Sequence, residues 1–549
     1  MTKFIVVAGG VISGVGKGVA TASLGKILKE HGYSVTLIKI DPYINCDAGT
    51  LRPTEHGEVW VTDDGGEIDQ DLGTYERFMN EAMPKKNNIT TGQIYKSVID
   101  KERAGHYLGH TVQFVPHIID EVKRRILDAS KDHEIAIIEI GGTVGDYENV
   151  PFLFTLKGLE REIGSINVAY VLVTYLPIPD SIHEMKTKPT QQAIRLLGQE
   201  GIQPDFILCR AKYPLDAQRK KKIEEFANIK PEHVISAPDI DTIYQIPLNF
   251  EREELGQKVL QHFGLKSRQT PDWASWQKLV DAIKQPARKI KIAIVGKYLA
   301  SGDYSMTDSY VSIYQALTHA GADQNCGIDI QWLDANNFEQ DANNFDALKD
   351  VDGVIIPGGF GASGVEGKIN VIEYVRTNNI PYLGLCYGMQ LAAIEFARNA
   401  CGAPTAHTTE VDKDTDHPII DILPLQKKLL DQKDYGGTMR LGAYAAILQE
   451  DSKVAQLYKG ATVLRNGNME VSERHRHRYE MNPAYVPMLE DNGLVFSGYH
   501  LRDDGTKLME YLELPNHPFF VATQAHPEFK SRLGDPNPLF AGFVKACVK

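Results

Sequence analysis

Several things are scarce in this chain of 549 residues, and each scarcity excludes something. No uncharged stretch approaches the roughly 18 to 20 residues of a membrane span, so no membrane segment is expected. Six cysteines are present and none shows C-x-x-C spacing. That argues against a disulfide framework or a thiolate metal site and fits a reducing, cytoplasmic setting. Basic residues are outnumbered 59 to 72 by acidic ones, for a net charge of −13. Such a balance disfavours a general surface for nucleic acid or acidic membrane, so neither is expected as a partner. The first apolar run, Phe4–Ala8, stops at Gly9-Gly10 and does not make a signal peptide. No repeat of solenoid period occurs. What is present is a hydrophobic fraction of 42%, over a length that exceeds one core and predicts two domains or more.

The pattern of apolar runs gives the fold class. Short apolar strands at Phe4–Ala8, Val35–Ile40, Ile135–Ile140, Val168–Val173 and Phe206–Cys209 alternate with helical segments, the signature of a parallel sheet covered on both faces. From Lys266 to Lys289 the strand signal lapses, and Pro271, Trp273, Trp276 and Pro286 mark a linker with one short helix, Trp273–Lys284. A second α/β set opens at Lys291–Val295 and continues at Val354–Pro357 and Tyr382–Leu385. The expectation is α/β with two doubly wound parallel-sheet domains, residues 1–266 and 290–549, joined by a linker at 267–289.

The second domain carries Pro381-Tyr-Leu-Gly-Leu-Cys-Tyr-Gly-Met-Gln390. A strand runs straight into Cys386, Gly384 and Gly388 flank it, and a helical stretch from Met389 follows. This is the pattern of a nucleophile elbow, a sharp strand-to-helix turn that exposes one side chain. A helix N-terminus behind the sulfur favours the thiolate. A cysteine nucleophile needs a base and the base an orienting group; Ala525-His-Pro-Glu528 offers His526 and Glu528. The other cysteines, Cys46, Cys209, Cys326, Cys401 and Cys547, read as small buried hydrophobes. This half resembles the class I (triad) glutamine amidotransferases, whose nucleophile motif is G-x-C-x-G-x-Q. Pro357-Gly-Gly-Phe-Gly361 resembles their oxyanion segment, where glycines let backbone N–H groups turn toward a developing charge. The chemistry implied is glutamine hydrolysis through a glutamyl thioester, releasing ammonia.

The first domain opens with a buried strand, then Gly9-Gly-Val-Ile-Ser-Gly-Val-Gly-Lys-Gly18, then an amphipathic helix from Ala20 to His31. Backbone N–H groups of such a loop cradle phosphate, and Lys17 neutralises charge. The match to the usual P-loop is imperfect. The span from Gly10 to Gly16 has one residue too many, and Gly18 stands where Ser or Thr would hold magnesium. Metal ligands are therefore expected from elsewhere: Asp71, in Glu67-Ile-Asp-Gln-Asp-Leu-Gly73, and Glu139, near the end of an apolar strand, where α/β sheets place their ligands.

Further strings stand out: Lys39-Ile-Asp-Pro-Tyr-Ile-Asn45, Glu55-His-Gly-Glu-Val59, Asp71–Phe78 and Lys186-Thr-Lys-Pro-Thr-Gln191. With these, essentially the whole chain resembles the CTP synthase family, although Cys46, Ala48, Gln70 and Pro238 depart from its pattern. The resemblance implies the reaction ATP + UTP + glutamine → ADP + phosphate + CTP + glutamate, with Mg²⁺ on Asp71 and Glu139 and with Lys17 and Lys39 serving phosphoryl transfer. It implies ATP at Gly14, Val15, Gly16, Lys17, Gly18, Val19, Asp71, Asp239 and Ile240. It implies UTP, or CTP as product inhibitor, at Ser13, Asp146, Tyr147, Glu148, Lys186, Thr187, Lys188, Pro189, Thr190, Gln191 and Lys222. Glutamine is implied at Gly359, Tyr387, Gly388, Met389, Gln390, Glu410 and Arg478, and an ammonia gate at Pro53, His56 and Val59. Gly436–Gly442 resembles a lid associated with activation by GTP, and the family forms homotetramers. Three rival readings remain from the residues: another glutamine-dependent amide ligase with a variant P-loop, a plain glutaminase, and a nucleotide-regulated scaffold or filament subunit.

Overall fold

The computed structural model describes residues 1–51, 57–297, 300–301, 304–305, 307–339, 342–422, 439–465 and 467–548. Within it the chain gathers into two compact units. The first comprises Met1–Thr50 and Gln70–Val280, the second Leu51–Asp69 and Asp281–Lys549. A short segment from the early sequence is thus packed in the second unit.

The first unit is built on a seven-stranded parallel sheet. Its order is Asn88–Thr90, Val35–Asp41, Ile135–Ile140, Lys3–Gly9, Val168–Tyr175, Phe206–Ala211, Val234–Pro238. The central strands are apolar along nearly their whole length because helices cover both faces. Ile5, Ile38, Ile137 and Ala169 are fully buried. The first strand hands over to the helix Lys17–Glu30 through a loop in which Val11, Gly14 and Gly16 all have positive φ, 80°, 71° and 93°. A β-branched residue in that region is strained; Val11 holds it at the start of the Gly-rich loop.

The second unit is built on a ten-stranded sheet of two kinds. Cys326–Asp334, Arg288–Gly296, Gly353–Ile356, Tyr382–Leu385 and Phe520–Thr523 run parallel. The sheet then continues antiparallel through Lys507–Glu513, Val495–Leu501, Arg440–Leu448, Asn468–His477 and Val463–Arg465. The parallel half was legible as α/β; the antiparallel half was not read from the sequence. Tyr382–Leu385 and Phe520–Thr523 are neighbours in register. The chain ends of these two strands, and the Cys and His beyond them, therefore emerge side by side. The linker helix spans Ala274–Lys284. Cys209, Cys326 and Cys547 are buried as expected, but Cys46 is exposed and Cys401 half-buried. Cys46 lies in a polar loop after the second strand with no sheet to cover it. Among the described residues no helix is long and apolar enough to cross a membrane.

Candidate functional site

The second unit presents a cysteine centre. Cys386 is the residue before the helix Tyr387–Asn399 and has φ 51° and ψ −100°. Its N–H donates to Thr523 O at 2.8 Å, tying the elbow to the neighbouring strand. Both flanking glycines are demanded by space. A Cβ on Gly388 would lie 2.2 Å from Ile356 O, and one on Gly384 would lie 2.6 Å from the Tyr382 hydroxyl. His526 Nδ1 is 2.7 Å from Glu528 Oε1, a bond that orients the ring, and the ring is also hydrogen-bonded to Cys386. Burial alone would lower the His526 pKa, but Glu528 and Cys386 beside it raise it to about 10. Gly358 closes the third side: a Cβ there would stand 3.0 Å from His526 Cε1 and 3.5 Å from Cys386 Cβ. The segment Pro357–Gly361 therefore lies, at Gly358, against both side chains.

That segment is held at both ends. Lys368 Nζ donates to Pro357 O at 3.3 Å and Lys297 Nζ to Gly361 O at 2.8 Å. Burial lowers both lysine pKa values, to about 7 and about 8. The Gly361 N–H donates to Glu410 Oε1 at 2.7 Å. Burial raises the Glu410 pKa, against the opposing charges of Lys297 and Arg478 nearby. Gln390 is buried. Its amide nitrogen donates to Tyr479 O at 3.0 Å and to Gln524 Oε1 at 3.1 Å, while Gln524 Nε2 donates to the Cys386 sulfur at 3.7 Å. Gln524, Lys297 and Lys368 were not found from the sequence; single polar residues without a motif give no local signal.

A hairpin, Val59–Val61 with Glu67–Asp69, packs beside this centre in the second unit. Val59 lies on its first strand and is buried. Pro53 and His56, the other residues expected at an ammonia gate, lie outside the described residues, as do Gly436, Gly437 and Thr438 of the Gly436–Gly442 segment.

The first unit holds a charged centre at the C-terminal edge of its sheet. Lys39 is buried and contacts Asp71, Glu139 at 3.2 Å and Asp41 at 3.6 Å. Burial would lower its pKa, yet these carboxylates, Asp71 first, raise it well above the ordinary lysine range. Glu139 also accepts from the Tyr75 hydroxyl, and its pKa is raised, chiefly by burial. Lys17 Nζ donates to Gly142 O at 2.7 Å, and burial lowers its pKa. Its side chain folds over Gly9, where a Cβ would lie 2.6 Å from Lys17 Cδ. A Cβ on Gly18 would lie 2.5 Å from Asp71 Oδ1 and 3.7 Å from Glu139 Oε2. The space a P-loop hydroxyl would fill is taken by a carboxylate. Among the described residues no cluster of three or more His, Cys, Asp or Glu side chains forms a metal cage. Two carboxylates beside a phosphate loop are nevertheless the donor set magnesium takes when substrate phosphates complete its shell.

Next to the loop lies a cavity of about 290 Å³ lined by Gly16, Val19, Arg210, Pro238, Asp239, Ile240 and Phe250 among others. Asp239 and Ile240 are thus brought together with the loop. Arg210, missed in the sequence, donates to Asp239 at 2.7 Å and to Val15 O at 3.4 Å. Farther along the edge, Glu184 gathers Lys186 at 2.6 Å and Arg219 at 3.1 Å. The nearby charge of Lys222 also helps lower its pKa, after the larger effect of Lys186. Pro189 sits in the first turn of the helix Lys188–Gln199, and Thr190 is buried against Thr174 at 3.0 Å. Asp146 accepts from the Thr143 N–H at 2.7 Å, and Tyr147 is exposed.

A cysteine–histidine–glutamate centre on one unit and a lysine–carboxylate centre beside a phosphate loop on the other define a glutamine-dependent, nucleotide-using ligase. Residues 3–265 match the family model for the CTP synthase N-terminus, and residues 305–546 match that for class-I glutamine amidotransferase. The CTP synthase of Methanococcus maripaludis is 49% identical over 552 residues, covering 100% of both chains. That of Pyrococcus abyssi is 49% identical over 546 residues, covering 100% of this chain and 98% of its own. The chain belongs to the CTP synthase family. A solved glutaminase domain of Trypanosoma brucei CTPS with bound acivicin is 35% identical, covering 47% of this chain and 93% of its own, with a TM-score of 0.42.

Proposed function

We propose that residues 290–549 hydrolyse glutamine and residues 1–266 use the ammonia to convert UTP to CTP at the expense of ATP, with 267–289 as linker. The observation that carries this reading is that one chain bears two built centres. One is a strained cysteine with its His–Glu pair; the other is a buried lysine gripped by two carboxylates at a phosphate loop.

In the glutaminase reaction, His526 takes the Cys386 proton and the sulfur attacks the glutamine amide carbon. N–H groups of Gly358–Phe360 receive the oxyanion, and the imidazolium protonates the departing ammonia. Water then cleaves the thioester under the same base. In this reading Glu410 and Arg478 bind the charged ends of glutamine, with Gly359 and Tyr387–Met389 around it. Gln390 acts through Gln524 on the sulfur.

In the synthase reaction, the loop Gly14–Val19 cradles ATP phosphates, and the cavity beside Asp239 and Ile240 takes the adenine. Lys17 and Lys39 stabilise the phosphoryl group as it passes to uracil O4; such transfer depends on positioning and charge. Asp71 and Glu139 would hold Mg²⁺, which would neutralise charge on the triphosphate. Ser13, Asp146–Glu148, Lys186–Gln191 and Lys222 hold UTP, or CTP as inhibitor. Activation by GTP and assembly as a homotetramer complete the reading. Ultraviolet-detected CTP formation from UTP, ATP and Mg²⁺, run with glutamine and then with ammonium chloride, tests it. CTP from both sources is expected, and none from either overturns the reading.

A further inference from the structure

We propose that the hairpin 59–69 is a positioning element of the glutaminase centre, its Trp60, Asp63 and Glu67 aligning Cys386 and His526 from outside the amidotransferase sequence. The inference rests on the glutaminase reading of Cys386 given above.

The strand Asn468–His477 meets both reacting residues through its backbone. Arg474 O accepts the His526 N–H at 2.7 Å, and Arg476 O lies 3.9 Å from the Cys386 sulfur. A slide of this strand therefore moves the nucleophile and base together. Arg474 and Arg476 are two apart, so their side chains leave the strand on one face, and that face meets the hairpin. Arg474 Nε donates to Asp63 Oδ1 at 2.6 Å and Arg476 Nε to Glu67 Oε1 at 2.8 Å. Arg474 is 0% exposed, and a guanidinium that deep needs an opposite charge.

A second line of contact reaches the imidazole. Its ring stacks on Phe529 with centroids 5.2 Å apart at 14°, and Phe529 packs on Trp60 at 4.9 Å. Trp60 is itself fully buried, and the Arg474 guanidinium lies 5.2 Å from its centroid. The turn of the hairpin is seated on backbone. The Ala443 N–H donates to Asp63 O at 2.9 Å, and Gly442, at φ 94°, leaves no room for a Cβ, which would lie 2.7 Å from that same oxygen. Two ion pairs and the Trp60–Phe529 contact thus converge on the strand and ring that align the centre, and the backbone seat lies on the neighbouring strand, where Ala443 is paired with Arg474. On the hairpin side the contacting residues, Trp60, Asp63 and Glu67, lie inside the 3–265 match, whereas their partners lie inside the 305–546 match.

The test uses full-length Asp63→Asn, Glu67→Gln and the conservative Glu67→Asp. It measures glutamine hydrolysis, ammonia-dependent CTP formation, and the pH profile of Cys386 alkylation by iodoacetamide, with Cys386→Ala as the blank. A loss of ~10-fold or more in kcat for glutamine is expected for the two amides, since small misplacements of reacting groups are costly. KM for glutamine should move less than about twofold, because the glutamine-holding groups are untouched. The alkylation profile should shift, ammonia-dependent synthesis should hold, and Glu67→Asp should recover part of the loss. Unchanged hydrolysis and alkylation in both amide variants overturn the proposal while leaving the glutaminase reading intact. Equal loss with ammonia overturns it too, as general destabilisation. Wild-type enzyme without Cys386-dependent hydrolysis overturns the underlying reading and the proposal with it.

Discussion

Gly18 and Asp71 occupy one space: a Cβ on the glycine would stand 2.5 Å from the aspartate Oδ1. The second residue of the helix Lys17–Glu30 has no side chain, and the carboxylate of Asp71, from another helix, lies against it. Substituting Gly18 with Ala should push Asp71 off its position and cost ~100-fold in CTP formation with either nitrogen source. Glutamine hydrolysis should persist. Steady-state rates with glutamine and with ammonium chloride read both outcomes, and near-wild-type synthesis in Gly18→Ala would count against Asp71 at the phosphates.

Cys386→Ala should abolish glutamine-dependent CTP formation and leave ammonia-dependent formation within about twofold of wild type, because the sulfur acts on glutamine alone. His526→Ala should follow the same pattern. Equal loss with both nitrogen sources, in protein shown to be folded, would sink the assignment of the centre.

The raised His526 pKa makes stability depend on pH. The folded protein holds this proton up to about pH 10, whereas an unfolded histidine releases it near its ordinary value, about 6.5. The folded form binds more protons between those values, so the contribution is fully present below about pH 6.5 and is lost as pH rises toward 10. Denaturant midpoints across that window should fall for wild type relative to His526→Gln. Parallel curves for the two proteins would refute the shift.

The cavity beside the loop gives a substrate-selective prediction. Ala237 lines its apolar wall with Pro238 and Ile240. Ala237→Trp should fill much of the space and raise KM for ATP by ~10-fold or more, leaving KM for UTP nearly unchanged. A rise confined to UTP would move the adenine elsewhere.

What was legible in the sequence, and what was not, follows from how local each signal is. The elbow at Cys386 could be read because its demands fall on neighbours: Gly384 and Gly388 are forced by contacts within a few residues or across one strand pair. Gly18 announced a missing hydroxyl, which pointed to carboxylates elsewhere, and Asp71 does lie against it. The strands at the centre of the first sheet are continuous apolar runs and were evident. Its edge strands, Asn88–Thr90 and Val234–Pro238, are short and mixed in character and were not. The antiparallel strands of the second unit carry buried charges such as Arg474, Glu473 and Glu510, which mask the alternation that would reveal them. Gln524, Arg210 and the hairpin contacts depend on partners far along the chain, and nothing near them in sequence names those partners.

The place of residues 51–69 bears on how such a chain can be rearranged. They lie early in the sequence yet belong to the later unit, so no single cut divides the molecule into its two working parts. Exchanging the C-terminal half with that of a relative would leave the recipient's own hairpin facing foreign arginines. A chimera that moves the hairpin together with that half should hydrolyse glutamine better than one joined at the linker alone. The compact unit that holds the amidotransferase domain is discontinuous in the chain, and Asp63 and Glu67 are expected to change in step with Arg474 and Arg476 among relatives.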